Sequence, residues 1–439
     1  MKKILTVSLL VLTLIMSAAA VSAQDYVPSP GVLSPDQVDF GGAVITIIGT
    51  VDEDTFAEGT IREGRLEEAM ELFNIGGIEF MFRPSSEVVM TRIVTGEATH
   101  DIIHRDWRNE YYNMAGHGML LPLNDLLGDD YYDYLYPTDS IIHQDILSVG
   151  SNVYSFGHLY GSNWRPTALV YNRSLLEREG QPDIYDLWTS GNWTWEEAEK
   201  IIQNVTRDTD GDGEIDQWGI AWRRIDYAIY MNNAQFVKKD ADGKYRYGWA
   251  DDDAIWVFDK IAEWYREGYI VPKELDGSNR IKNGTVAMQF GSDHAEGGQA
   301  NNGDTLIYAP IPMGPHVDRH IYPEWAVKFA SIPVTAENPE GLIALHDFLF
   351  RKEDFDFDSW FATEVNERMF NRESAEHLLY ALENWQGDVE WVNGLDSPDV
   401  NIRFSDDMDP LFRGIEPVRS YLEAKGPTAQ AQIDALFGQ

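Results

Sequence analysis

The 439-residue chain contains no cysteine. That excludes disulfides, thiolate metal ligands and a cysteine nucleophile, and also a lipid carried on a cysteine behind an N-terminal leader. Stability must come from the core, from loops that bind metal, or from both. Positive charge is also short: 12 lysines and 22 arginines face 73 acidic residues, for a formal net charge of −39. Such a field repels phosphate backbones, so nucleic acid is not a partner. It also works against a strongly anionic solute unless basic groups are gathered locally. No HExxH, GxSxG or P-loop motif occurs. The ten histidines do not fall at metal-ligand spacing; His316 and His320 lie four apart, but behind Pro315 in a segment that reads as loop. Glycosidase chemistry needs only two carboxylates, and an acid-rich chain singles out no pair. There is no repeat of 20–50 residues and no low-complexity segment.

What is present begins with a leader. Lys2 and Lys3 precede the apolar stretch Ile4 to Met16, and Val21-Ser22-Ala23 supplies small residues for a signal peptidase. Residues 1–23 are expected to be removed, which takes the charge of −39 to −41 with the loss of two lysines. No second apolar run of spanning length follows. Residues 24–37, with Pro28, Pro30 and Pro35, read as a flexible lead-in. The remaining length suits two lobes rather than one core.

Ala43 to Ile48 is a β-branched run expected as a buried strand. Thr60 to Phe73 places Ile61, Leu66, Ala69, Met70 and Phe73 on one helical face. Strand Ile78–Phe82, helix Val88–Val94, strand His100–Ile103 and helix Asn109–Met119 follow. Alternation of this kind implies a parallel sheet, with ligands beyond the carboxyl ends of its strands. Thr50, Asp52, Arg83, Asp106 and Trp107 fall at those ends. Further on come strand Ala168–Tyr171, helix Ser174–Glu179, and a capping box at Thr194-Trp195-Glu196-Glu197 that opens a helix to Val205. Asp251–Glu267 is a helix with Ile255, Phe258, Ile261, Ala262 and Tyr265 inward. Strands Gly284–Phe290 and Leu306–Ala309 and a helix over 340–350 complete the pattern, with mostly helix after 360.

The sharpest local motif is Asp208-Thr209-Asp210-Gly211-Asp212-Gly213-Glu214-Ile215-Asp216. Asp208, Asp210, Asp212 and Asp216 occupy positions 1, 3, 5 and 9 of a calcium loop, Glu214 can offer its main-chain carbonyl, and Gly213 stands at the sharp turn. Ile215 can pack beneath. Position 12 is Gly219, where a bidentate glutamate belongs. A structural Ca²⁺ is the expectation, and no cofactor for chemistry.

The chain has 14 Trp and 21 Tyr. Several, among them Trp107, Tyr160, Trp164, Trp222, Tyr227 and Trp325, lie off obvious helical faces. Sugar rings stack C–H faces on aromatics while their hydroxyls bond polar side chains.

The order of elements resembles the extracellular solute-binding proteins of bacterial ABC importers, specifically the sugar-binding, maltose-binding-protein-like family. The marks run in order: Thr167 to Arg173, which resembles the family's crossing strand ending in Tyr-Asn; Trp193 to Glu197, its Thr-Trp-Glu-Glu helix start; Asn283 to Met288, its Gly-Lys-Ala-Ala-Met strand; Ala309 to Pro315, its Pro-Leu-Pro-Lys-Gly-Pro turn; and Asn338-Pro339-Glu340, its Asn-Pro-Glu helix start. The resemblance implies an α/β, two-lobed periplasmic-binding-protein-like fold (type II), with residues 38–160 and 312–350 in lobe 1, and 161–311 and 351–439 in lobe 2. Crossovers are expected near Tyr160–Arg165, Ile307–Pro312 and Phe350. It implies ligand contacts at Asp106, Trp107, Trp164, Arg165, Trp222, Tyr227, Ser292, Asp293 and Trp325. It implies a monomer without enzymatic activity that captures a carbohydrate and delivers it to an ABC permease outside the cytoplasmic membrane. A ligand-presenting sensor and an extracellular carbohydrate-active enzyme are the alternatives.

Overall fold

The computed structural model describes residues 26–105, 108–135, 148–157, 168–275, 281–292, 300–323, 329–354, 356–369, 371–384 and 408–437. In chain order its strands are β1 (Val44–Gly49), β2 (Gly77–Phe82), β3 (Asp101–Arg105), β4 (Ser148–Val149), β5 (Asn152–Val153), β6 (Ala168–Asn172), β7 (Trp218–Ile220), β8 (Val237–Lys239), β9 (Tyr245–Tyr247), β10 (Val286–Ser292), β11 (Leu306–Ala309) and β12 (Phe329–Ser331). The α-helices are α1 (Arg65–Leu72), α2 (Ser86–Val94), α3 (Arg108–Gly116), α4 (Asp129–Leu135), α5 (Arg173–Arg178), α6 (Ile184–Thr189), α7 (Trp195–Val205), α8 (Asp252–Arg266), α9 (Pro339–Leu349), α10 (Phe357–Glu364), α11 (Arg372–Asn384), α12 (Asp409–Phe412) and α13 (Val418–Phe437).

Two four-stranded sheets organise the chain. The first has the order β12-β3-β1-β2, with β1, β2 and β3 parallel and β12 antiparallel to β3. The second has the order β11-β6-β10-β7, with β10 parallel to β7 and β6 antiparallel to both β10 and β11. Isoleucines explain β1: Ile45, Ile47 and Ile48 are all buried, as a strand covered by helices requires. The central strand of the second half is buried along its whole length, from Ala168 to Asn172. Each large aliphatic side chain buried this way contributes about 1.5–3 kcal/mol.

Helices behave as amphipathic spacing dictates, with instructive exceptions. In α7, Ala198, Ile201, Ile202 and Val205 are buried. In α8 the aromatics Phe258 and Trp264 are wholly buried, and Trp264 Nε1 donates to Glu199 Oε1 at 2.7 Å, while Tyr265 stays at the rim. The expected helix over 60–73 begins only at Arg65, because Gly64 turns through φ 78°; Ile61 is left 43% exposed. The capping box at Thr194 does not form. The backbone there pairs with Met313, and the Thr194 side chain makes no cap bond. Asn338, by contrast, does cap α9, its side chain accepting from Gly341 N at 3.1 Å.

The stretch read as a flexible lead-in is anchored from Tyr26 onward. Tyr26 Oη and Ser29 Oγ each donate to the buried Asp347 carboxylate at 2.6 Å, and the Arg351 guanidinium lies 4.9 Å from the Tyr26 ring. Its prolines stiffen an ordered segment rather than loosen a linker. Asp354 is also held to the first half, by Arg65 at 2.5 Å and Arg62 at 3.1 Å, so the chain remains with α1 beyond Phe350. Among the described residues no helix is long and apolar enough to cross a membrane.

Candidate functional site

Strand register gathers several strand ends at one edge of each sheet. In the first sheet Gly49 pairs with both Phe82 and His104, so the carboxyl ends of β1, β2 and β3 share one edge. Phe329 pairs with Arg105, so β12 starts at that same edge. In the second sheet Ser292 pairs with Ala168 and Ala309 with Leu169. The ends of β10 and β11 and the start of β6 therefore share one edge too.

The chain passes between these edges. It leaves the first sheet after Phe156, which pairs with Ala330, and enters the second at Ala168. It returns between Ala309 and Phe329. A third passage follows Asp354, since Asn371 and Ser374 already bond β11, at Leu306 O (2.9 Å) and Tyr308 N (3.0 Å). His104, His346, Phe156 and Phe350 pack as one ring cluster at the first edge, with centroids 4.7–5.5 Å apart for the pairs in contact. Gly157 fits only because it lacks a Cβ, which would meet His346 Cε1 at 2.7 Å, and because φ is 81°.

On the first edge, Thr50 N donates to His104 O at 2.9 Å, and Asp52 accepts from Thr55 Oγ1 at 3.2 Å. Beside them Phe82 is 53% exposed. Arg83 adopts the left-handed region (φ 46°), with its N–H on Gly49 O at 2.7 Å and its guanidinium 5.3 Å from the Phe82 ring. Such a backbone costs a non-glycine residue about 1–2 kcal/mol, and the following Pro84 disfavours the ordinary helical alternative.

The second edge carries a parallel device. Arg224, just past β7, has φ 61°, and its guanidinium lies 4.1 Å from the Tyr227 ring. Gly291, at φ 67° in the irregular end of β10, lets Tyr227 close in: a Cβ there would sit 2.7 Å from the ring. Asp226 is half-buried; desolvation pushes its carboxyl up, against the pull of Arg224. Trp222 is partly buried edge-on between Tyr265 (5.4 Å) and Phe412 (6.0 Å). On the third passage, α10 carries Phe357, Trp360 and Phe361, with Phe357 36% exposed and its ring parallel to that of Phe361 at 6.0 Å.

Of the residues expected to touch ligand, Asp106, Trp107, Trp164, Arg165, Asp293 and Trp325 lie outside the described residues. Ser292 lies at the second edge, by its backbone. Tyr227 is fully buried beneath Arg224, so it supports a guanidinium rather than offering its ring to a solute. Sequence reading passed over Phe82, Arg224 and the α10 aromatics. The spacing of Phe357, Trp360 and Phe361 looks like a core stripe, and only exposure separates it from one.

The acidic loop lies away from these edges. Oxygens of Asp208, Asp210 and Asp216 come within 4.8 Å of one another. Gly211 N and Gly213 N donate to Asp208 at 2.6 and 2.7 Å, which holds its carboxyl low. Asp212 stands apart, accepting from Glu214 N at 2.8 Å. Ile215 is 39% exposed instead of packing under the loop. The strand resumes early, with Arg207 paired to Gln217, so position 12 falls inside β7. Only glycine fits there: a Cβ on Gly219 would meet Ile202 Cα at 2.8 Å. The donor set, oxygen-only and carboxylate-rich, fits a hard cation such as calcium, with three of the five expected residues converging.

Comparison with known proteins follows the same lines. The family model for bacterial extracellular solute-binding proteins matches residues 72–354. No curated protein matches the sequence. Among solved structures, the maltose/maltodextrin-binding domain from Bdellovibrio bacteriovorus bound to maltotriose is 17% identical, with TM-score 0.55 over 89% of this chain and 100% of that one. A cyclo/maltodextrin-binding protein complexed with maltotetraose is 15% identical, with TM-score 0.58 over 90% and 97%. An ABC substrate-binding protein from Listeria monocytogenes in complex with cycloalternan is 11% identical, with TM-score 0.55 over 90% and 99%.

Proposed function

Because the chain belongs to the bacterial extracellular solute-binding protein family, a family of non-enzymatic, exported binding proteins with the two-lobed type II α/β fold, we propose that it captures a carbohydrate between its two sheets and delivers it to the permease of an ABC importer. The observation that carries this reading is that the chain passes from the strand-end edge of one sheet to that of the other, with exposed aromatic surface at Phe82 and Phe357. Solved relatives that hold maltotriose, maltotetraose and cycloalternan support the substrate class. In this reading lobe 1 comprises residues 38–160 and 312–350, extended to Asp354 and back to Tyr26 by the contacts above, and lobe 2 takes the remainder. Solute admitted to the open form makes its second-lobe contacts only on closure, which favours the closed form. Trp222 and Ser292 border the site from lobe 2, and a Ca²⁺ held by Asp208, Asp210 and Asp216 braces the loop ahead of β7 without taking part in binding.

The test is a thermal-shift screen of the purified chain against mono- and oligosaccharides, followed by calorimetry on each hit. Phe82→Ala should weaken a hit about 5- to 10-fold through lost stacking, with an unchanged melt in the absence of sugar. A screen in which no saccharide raises the melting temperature would overturn the carbohydrate assignment.

A further inference from the structure

Outside the three passages, the two halves of the chain also touch through a stack of rings at the end of α13. This helix packs with the second half. Arg419, near its start, pairs with Asp252 of α8 at 2.8 Å. Gln430 bonds β9 twice, accepting from Tyr247 N at 2.9 Å and donating to Tyr245 O at 3.1 Å. Its amide thereby satisfies backbone groups of a strand whose only strand partner is β8. The last turn of α13 then reaches out of its own half. Phe437 stacks on Tyr245, with centroids 3.8 Å apart and planes 13° from parallel, and lies 6.3 Å from the ring of Tyr112 on α3. α3 packs with the first half: the Tyr111 hydroxyl accepts from Tyr154 N at 3.1 Å, just ahead of the bridge from Phe156 to Ala330. Tyr245 Oη also approaches Ser148 O of β4, at 3.5 Å. Phe437, Tyr245 and Tyr112 are all buried. Helix ends fray when nothing holds them, and a buried phenylalanine in the final turn is held.

We propose that this stack is a strap between the lobes: Phe437, carried on α13, docks against Tyr112 and limits how freely the two lobes swing. The strap rests on the division into lobes given above and on no property of the solute. Connecting segments alone leave a hinge free to take many angles. A non-covalent contact between the halves removes part of that freedom, because pulling the lobes apart there exposes all three rings to water. Aromatic side chains bury about 150–250 Å² each, so the contact resists separation. Order held in this way before a solute arrives does not have to be imposed during binding. Phe437 therefore acts on solute affinity as a positioning residue, without touching solute.

The test is made on sugar-free protein. Spin labels go at Glu71→Cys on α1 and Gln203→Cys on α7, exposed positions outside the strap, in a chain with no cysteine of its own. Pulsed dipolar spectroscopy should give a single narrow distance distribution in the parent. Phe437→Ala should broaden it about 2-fold. Phe437→Leu keeps apolar bulk at the position, and so the fold, while losing the ring stack; it should broaden the distribution by a smaller amount. If Phe437→Ala does not fold, Phe437→Leu decides alone: a broadened distribution supports the strap, and one of parental width overturns it. A melting temperature that falls while the distribution keeps its width would make Phe437 a packing residue only, and overturn the strap too. So would a parent distribution already as broad as those of the variants. No sugar is present at any step. A saccharide screen without hits therefore leaves the strap standing, and an unmoved distribution leaves the carbohydrate assignment standing.

Discussion

At the scale of single residues, the structure spends its scarce positive charge on few tasks. Arg178 holds Asp304 bidentately at 2.6 and 2.9 Å, and Asn172 and Asn302 add bonds at 2.9 and 3.0 Å. The Arg178 hydrogen bonds chiefly, then those of the two asparagines, bring the Asp304 carboxyl down to about 2. A carboxylate depressed in the folded state contributes stability that is present above its unfolded pKa, near 4, and lost as pH falls towards 2. Asp304→Asn should therefore cost about 1–2 kcal/mol at neutral pH and flatten the loss of stability between pH 4 and 2; urea melts across that range measure both. At the strand ends, arginine at φ > 0, as at Arg83 and Arg224, is invisible in a sequence. Nothing in Phe-Arg-Pro or Trp-Arg-Arg announces a left-handed turn, which glycine or asparagine would have done.

Secondary elements were far more legible. β-Branched runs and apolar spacing located β1, β2, β3, β6 and β11 to within a residue or two of their ends, and α7 over its full span. What escaped were strands whose partners lie far off in the chain. β12, at Phe329–Ser331, is three residues long and is made a strand by β3, not by its own composition. The hairpin of β8 and β9 has the same weakness, with Val-Lys-Lys and Tyr-Arg-Tyr too short for any window to distinguish from a loop. The acidic loop was legible as a motif, but its closure was not, because Gly219 serves the packing of β7 on α7. Asp208, Asp210 and Asp216 crowd their charges unless a cation sits among them. Removing calcium with a chelator should lower the melting temperature by a few degrees, on the order of 1–2 kcal/mol of linkage, and Asp210→Asn should abolish the difference. Identical melts with and without chelator would reject calcium binding.

At the scale of the molecule, two-lobedness was read from length and element order, and the mixed second sheet refines it: its β6 runs against its neighbours because the chain enters that sheet at the edge where β10 and β11 end. Closure should be directly observable, since a cysteine-free chain accepts two labels without interference. Glu71→Cys on α1 and Asp242→Cys in the β8–β9 turn are exposed positions, one on each side of the proposed division into lobes. Energy transfer between dyes there should shift on saturation with the ligand identified by the screen, and the radius of gyration should fall. A distance unmoved at saturation would mean that the two halves do not close.

The late arrival of β12 has a consequence for biogenesis. β3 ends at Arg105 and its antiparallel neighbour begins at Phe329, so the N-terminal half cannot complete its sheet until three quarters of the polypeptide has been synthesised. Pairings so distant in sequence form slowly. An emerging nascent chain built this way stays threadable through a translocation channel, and matures only after most of it has reached the far side.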